Sequence, residues 1–272
     1  MSSVTIVLKL LLAPALVVAS SLAGRRWGQQ VSGMLVALPI VAGPILLITC
    51  LEQGARFGSR AAGAALLGLV SLAWFALIYA WLSRRFGWVP TLVIAWAGCL
   101  LLDLALSRIP LGPWSGLPTV LVVAWAVTRL LPDDPPGDHG RVAWPWWDLP
   151  ARAAATAVLV LVVTAAAAAV GPDLTGVLAP FPIATSVVAA FAHAQLGSAG
   201  AVRVLHGVPR GLLGFSVFCF LVAVLVVPLG TAAAFVIALG ATLVVQLAWR
   251  AARTRLTPDG SPPSSGRSRV GA

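Results

Sequence analysis

Eight apolar runs, each near twenty residues long and divided by short polar connections, constrain this chain more than any other feature. They lie near 5–24, 31–53, 61–83, 88–107, 152–170, 174–196, 207–227 and 231–250. Roughly 17 to 25 apolar residues, wound as a helix, match the hydrocarbon core of a bilayer. A ninth run, 114–131, is interrupted in its first half by Gly116 and Pro118, with Pro113 just before it, and reads as a short span or a re-entrant segment. The chain is 60% hydrophobic and only 10% charged, against about 25% charged in soluble domains. Its mean hydropathy is +0.98. Such a chain has too little polar surface to face water, and it is expected to be an all-α, polytopic transmembrane bundle.

The charges that remain are lopsided, with 18 basic residues to 8 acidic. On a soluble protein this would suggest nucleic acid. Here the arginines fall between apolar runs or in the C-terminal tail, where positive-inside topology is the plainer cause. The first 24 residues, with Lys9, an apolar run and then small residues, also fit a signal peptide. A counterpart of this segment inside the chain argues that it is retained as the first span. Cys50, Cys99 and Cys219 lie within apolar runs without CxxC spacing and read as small apolar fillers. The longest polar connection, 132–150, carries Trp144, Trp146 and Trp147, suited to a membrane interface. The tail from Thr257, rich in Ser, Pro, Gly and Arg, is expected to be disordered.

The counterpart belongs to an internal repeat. A constant offset of 143 carries the first four runs onto the last four without a gap. Gly33 meets Gly176, Pro39 meets Pro182, Gly54 meets Gly197 and Arg60 meets Arg203. Gly68 meets Gly211, and "VIAWAGCLLLDLA" from Val93 lies on "VIALGATLVVQLA" from Val236. Lys9 lands on Arg152. The domains expected are a first four-helix repeat (1–107), a linking span and polar loop (108–147), a second four-helix repeat (148–251) and a basic tail (252–272). If 114–131 spans, the repeats are inverted; if not, they are parallel. Total charge does not decide between the two. The pairs Arg25–Arg26 and Arg84–Arg85, however, have the uncharged counterparts Ala168–Ala169 and Val227–Pro228. Short loops that are basic in one half and neutral in the other fit opposite faces of a membrane, which favours inversion and about nine spans.

Polar residues inside spans are costly and are functional candidates by default. Asp103 and its counterpart Gln246, and Glu52 and its counterpart Gln195, pair a carboxylate in one half with an amide in the other. They are candidates for binding an ion or relaying a proton, as is His193. The plainer readings are pairing of Asp103 with Arg108, of Glu52 with Arg56, and a packing role for His193. His206, read as a loop residue between Arg203 and Arg210, suits anionic headgroups. Asp133, Asp134, Asp138 and His139 sit in a Pro/Gly-rich loop that holds a metal poorly, and no metal or other cofactor is expected. Proline in a helix frees backbone groups that hydrocarbon cannot satisfy. Gly/Pro interruptions at corresponding positions of two repeats point to a transporter's binding site. Pro39, Gly43, Pro182, Thr185 and Ser186 are therefore candidates for a substrate path. An ordinary kink with small residues for close packing is the alternative.

No GxSxG, HExxH or P-loop pattern is present, and an enzyme is not expected. Each half resembles the small four-span bacterial membrane proteins of the GlpM type. The resemblance rests on an early basic residue (Lys9, Arg152), the glycine and proline of "GVLAPFP" from Gly176 to Pro182, and a later glycine and basic residue (Gly197, Arg203). The first half departs by carrying "GPILLITCLEQG" after its proline. The resemblance implies architecture and no mechanism. The expectation is thus a transporter or channel-like protein of the bacterial inner membrane for a small solute or ion, with its C-terminal tail cytoplasmic. The alternative is a non-transporting scaffold or accessory subunit. Its partners would be the bilayer and either a second copy or another membrane protein, not nucleic acid.

Overall fold

The computed structural model describes residues 3–39, 42–108, 112–133, 144–170 and 181–256. The described residues form nine helices and no strand. These are α1 Ser3–Trp27, α2 Gln29–Val36, α3 Ala42–Gln53, α4 Ala55–Leu82, α5 Trp88–Leu106, α6 Pro113–Leu130, α7 Asp148–Val170, α8 Ile183–Leu229 and α9 Thr231–Leu256. By length and apolar composition α4, α5, α8 and residues Thr231–Ala248 of α9 could each cross a membrane.

Proline and glycine set most of the boundaries. Pro113 opens α6 and Pro182 caps α8, positions where a missing N–H costs nothing. Gly54 (φ 87°, ψ 162°) separates α3 from α4, and Gly197 (φ 69°, ψ −168°) breaks α8 into arms 183–196 and 198–229. Both backbones occupy a region that is essentially restricted to glycine.

Three expectations change here. Residues 31–53 do not form one helix: α2 ends at Val36, and Ala37, Leu38 and Pro39 form a turn before α3. Pro39 therefore stands in the interruption and not inside a helix. The span placed at 207–227 starts earlier, because the Gly197 turn alone reverses the chain and lets the second arm begin at 198. His206, Arg203 and Arg210 accordingly lie on α8 and not in a loop. The third span likewise begins at Ala55, directly after the Gly54 turn, so Arg56 and Arg60 are helical.

Side-chain contacts fix the helix directions. Near the end of α1, Arg25 and Ser21 meet Asp148 and Arg152 at the start of α7, so α1 and α7 are antiparallel. Ser59, near the start of α4, donates to the Ala223 carbonyl at 2.6 Å, while Tyr79 near its end meets His193 at 3.4 Å. The second arm of α8 begins at the Gly197 turn, beside His193, and is thus antiparallel to α4. Helix α6 runs with α4, since Trp81 Nε1 donates to the Leu130 carbonyl at 2.9 Å and a Cβ on Gly63 would lie 3.9 Å from Pro113. It runs against α8, with Trp114 on Phe220 (ring centroids 5.0 Å apart) and His206 Nε2 2.9 Å from the Pro132 carbonyl. Finally α9 opposes α8, pairing Phe235 with Phe218 and Gln246 with the Arg210 carbonyl.

The consequence is a bundle with unequal ends. Arg25, Arg84, Arg85, Arg129, Arg152 and Arg203 lie at one end, whereas Arg56, Arg60 and Arg108 lie at the other. The core between them is apolar, with Tyr79, Phe75, Phe218, Leu66, Leu69, Leu205 and Leu212 fully buried.

Candidate functional site

At the arginine-rich end the start of α7, the end of α1 and the end of the first arm of α8 meet around one carboxylate. Asp148 is wholly buried. It opens α7, where an acidic side chain suits the helix N-terminus, and Arg152 stands one turn on. Arg152 Nε donates to both carboxylate oxygens at 3.0 Å. Arg25 donates from α1, and Gln195 Nε2 donates from α8. Arg152 reaches further, to Ser21 Oγ at 3.4 Å and to Gln195 Oε1 at 3.5 Å. Trp144 covers both guanidinium groups, with Cζ 4.7 Å from the ring centroid for Arg25 and 5.9 Å for Arg152. Phe191 faces Arg152 from the α8 side at 5.0 Å. Aromatic faces attract guanidinium groups, so the cluster is walled as well as paired.

Two guanidiniums against one carboxylate leave the cluster with one positive charge in excess. Asp148 lies just before the apolar run that starts at Arg152. Burial works against its charged form, but the hydrogen bond from Gln195 and the charge and hydrogen bonds of Arg152 outweigh it. With the bond from Arg25, they hold the carboxyl below the usual carboxylate range. The arrangement ties three helices, drawn from both halves of the chain, into one charge-assisted lock.

The other predicted residues divide between the interruptions and the span interiors. Pro39 is buried in the turn between α2 and α3, its carbonyl accepting from Gly43 N at 2.8 Å. Gly43 is buried in the first turn of α3, and a Cβ there would meet Phe218 at 3.5 Å, ordinary contact. Pro182 is buried, and its carbonyl accepts from Ser186 N at 2.8 Å. Thr185 and Ser186 are buried, and Ser186 Oγ accepts from Trp96 Nε1 at 2.8 Å. Gly43 thus faces Phe218 of α8, while Ser186 meets Trp96 of α5.

Among the acidic candidates, Glu52 is exposed at the end of α3 and has no ion pair with Arg56 among the described residues. Asp103 is buried, and it is not paired with Arg108, which is exposed beyond the end of α5. Its neighbour is Cys99, whose Sγ lies 3.9 Å from Oδ2. Both expected ion pairs are therefore corrected. Asp103 turns inward one helical turn from Cys99, and Glu52 stays outside. Gln246 is buried and donates to the Arg210 carbonyl at 3.4 Å. His193 is buried against Tyr79, in hydrogen-bond reach and edge to face, as a packing histidine would be. His206 Nε2 lies 2.9 Å from the Pro132 carbonyl. Asp133 is exposed; Asp134, Asp138, His139 and residues 171–180 and 257–272 lie outside the described residues.

Between α2 and the second arm of α8 the backbones touch. A Cβ on Gly33 would fall 1.7 Å from the Val204 carbonyl oxygen. One on Gly207 would fall 2.0 Å from the Gln30 carbonyl oxygen, and one on Gly211 2.5 Å from that of Met34. Gly207 and Gly211 are spaced as in the small-residue pattern that lets membrane helices approach closely. Helix α3, beyond the interruption, packs chiefly on α4 and only lightly on α1 and α9. Comparison with family models, curated proteins and solved structures finds no match to this chain.

Proposed function

We propose that this chain is a transporter or channel-like protein of the bacterial inner membrane for a small solute or ion, built from two inverted four-helix repeats joined by α6. The observation that carries the reading is the interrupted second span. Its two pieces, α2 and α3, part at Pro39, and the corresponding Pro182 caps α8. Broken helices within the membrane are sustained where they line a cavity or are buried in protein.

The repeat is supported by helix ends that recur 143 residues on. The Gly54 turn corresponds to the Gly197 turn. The start of α5 at Trp88 corresponds to that of α9 at Thr231. One side-chain contact recurs as well: Cys99 Sγ reaches the Ser71 carbonyl at 3.7 Å, and Thr242 Oγ1 reaches the Gly214 carbonyl at 3.3 Å. Inversion is supported by the antiparallel course of the corresponding helices α1 and α7, and of α4 and the second arm of α8. The excess of arginine at one end supports a cytoplasmic position for that face and, with the end of α9, for the tail. The GlpM-type resemblance of each half belongs to the same proposal.

Glycine packing of α2 on α8 closes that half of the second span. The path therefore runs on the α3 side of the interruption, past Gly43 and, in the second half, Ser186. The lock at Asp148 then holds the cytoplasmic end shut, while Glu52 at the opposite end stays exposed. A second reading, a non-transporting scaffold, is favoured by the closed α2–α8 contact itself. The two separate in one experiment. In a chain lacking Cys50, Cys99 and Cys219, Gly43→Cys and Ser186→Cys are treated with a membrane-impermeant thiol reagent in sealed vesicles. A wet path predicts modification of both, protected when the vesicles are saturated with a transported solute. Absence of modification at both positions from either side would leave the scaffold.

A further inference from the structure

The buried acid of α5 is not used by the lock or by the path. Asp103 is only 4% exposed within a helix apolar enough to cross a membrane. An isolated carboxylate in such surroundings is penalised by desolvation unless a cation or several donors compensate it. No cation is at hand, and the donors are one hydroxyl and one thiol. The ion pairs among the described residues belong to Asp148 and do not reach Asp103. On its own helix the nearest group is the Cys99 thiol, at 3.9 Å, which also lies 3.7 Å from the Ser71 carbonyl. From α4 the facing group is Ser71, whose buried hydroxyl stands beside the carboxyl. The charged groups of α4, Arg56 and Arg60, are exposed near its start, and Arg108 is exposed past the end of α5. Helix α8 touches α5 lightly, and its titratable His193 is engaged with Tyr79.

A buried carboxyl without a counter-charge among the described residues thus has only a hydroxyl and a thiol for company. The corresponding place in the second half is neutral and complete. There Gln246 lies against Gly214 and donates to the Arg210 carbonyl, and Thr242 bonds the Gly214 carbonyl. A sodium or potassium ion would ask for several oxygen ligands, and a thiol is a soft donor ill suited to it. A proton asks for none. The neutral acid instead offers an O–H to donate and oxygens to accept from Ser71 and Cys99.

We infer that Asp103 is a proton-binding site, one per chain, that holds a proton at neutral pH and exchanges it with water. Its use as the coupling ion rests on the transport reading, but the protonation does not. The test is infrared difference spectroscopy of the full-length protein in lipid nanodiscs. The expected result is a protonated-carboxyl C=O band at neutral pH that is lost in Asp103→Asn, shifts down in D2O, and moves in Ser71→Ala. A spectrum without that band at neutral pH would overturn the inference. So would a band that ignores D2O, marking a sealed structural acid, or one that disappears on adding sodium, marking a metal-cation site. Should Asp103→Asn fail to fold, the Ser71→Ala shift assigns the band, and an unmoved band counts against the site. The readout needs no solute, so a failed transport assay is a separate result.

Discussion

Asp148 accepts from Arg25, Arg152 and Gln195 where α1, α7 and α8 meet, so one substitution there loosens three helices. Removing one partner of a buried charge pair costs about 3–5 kcal/mol, because the remaining charge is left uncompensated. Asp148→Asn leaves two guanidiniums facing an amide and is expected to lose stability of that order, measured by thermal unfolding in detergent. The effect depends on pH with a definite sign. The folded carboxyl titrates below its unfolded value of about 3.9, so its contribution is complete above that value. It fades as pH falls through the lower folded value. The gap between wild type and Asp148→Asn should therefore narrow in acid; a gap that widens would show that the carboxylate is not the stabilising form. Of this cluster only Gln195 stands out in the sequence as a site candidate. Arg25 reads there as a topology signal, and Asp148 as part of a polar loop. The spacing of Asp148 and Arg152, one turn apart at the start of an apolar run, was the available local sign. That Arg25 closes the pair from 123 residues away is a tertiary fact with no local signature.

At the scale of elements, hydropathy and the glycine–proline punctuation foretold most helices, because apolar length and breakers are local properties. The Pro39 interruption was visible as a clash between a spanning run and its breakers. Its resolution into two short helices was not. Glycine φ is likewise silent in sequence: Gly54 and Gly197 stood out only as a matched pair, and their backbone angles supply the reason. Nothing within 4 Å would obstruct a Cβ at either position, so the penalty for alanine is conformational alone. Gly54→Ala and Gly197→Ala should each destabilise by about 1–3 kcal/mol, read from unfolding in detergent. Alanine at 240, where the glycine has no such φ and its Cβ also meets nothing, should leave stability unchanged or raise it slightly. Equal effects at all three positions would contradict the role given to the two turns.

For the whole molecule, counting charges does not separate inverted from parallel repeats, because the inside and outside totals barely differ between the two topologies. The proposal of inversion draws instead on helix directions, which are set by packing between residues more than 100 apart in sequence, such as Ser59 with Ala223 and Tyr79 with His193. In the inverted account α6 is the odd crossing that turns the second half over, and the cytoplasmic lock joins the first helices of both halves. The account stands or falls on that inversion. The most direct measurement places single cysteines at 27, the end of α1, and at 171, in a chain without its native cysteines. An impermeant thiol reagent is then applied to right-side-out and inside-out vesicles. Modification of the two positions from opposite faces is the predicted result; modification of both from the same face would contradict the inverted repeat and the path drawn through it.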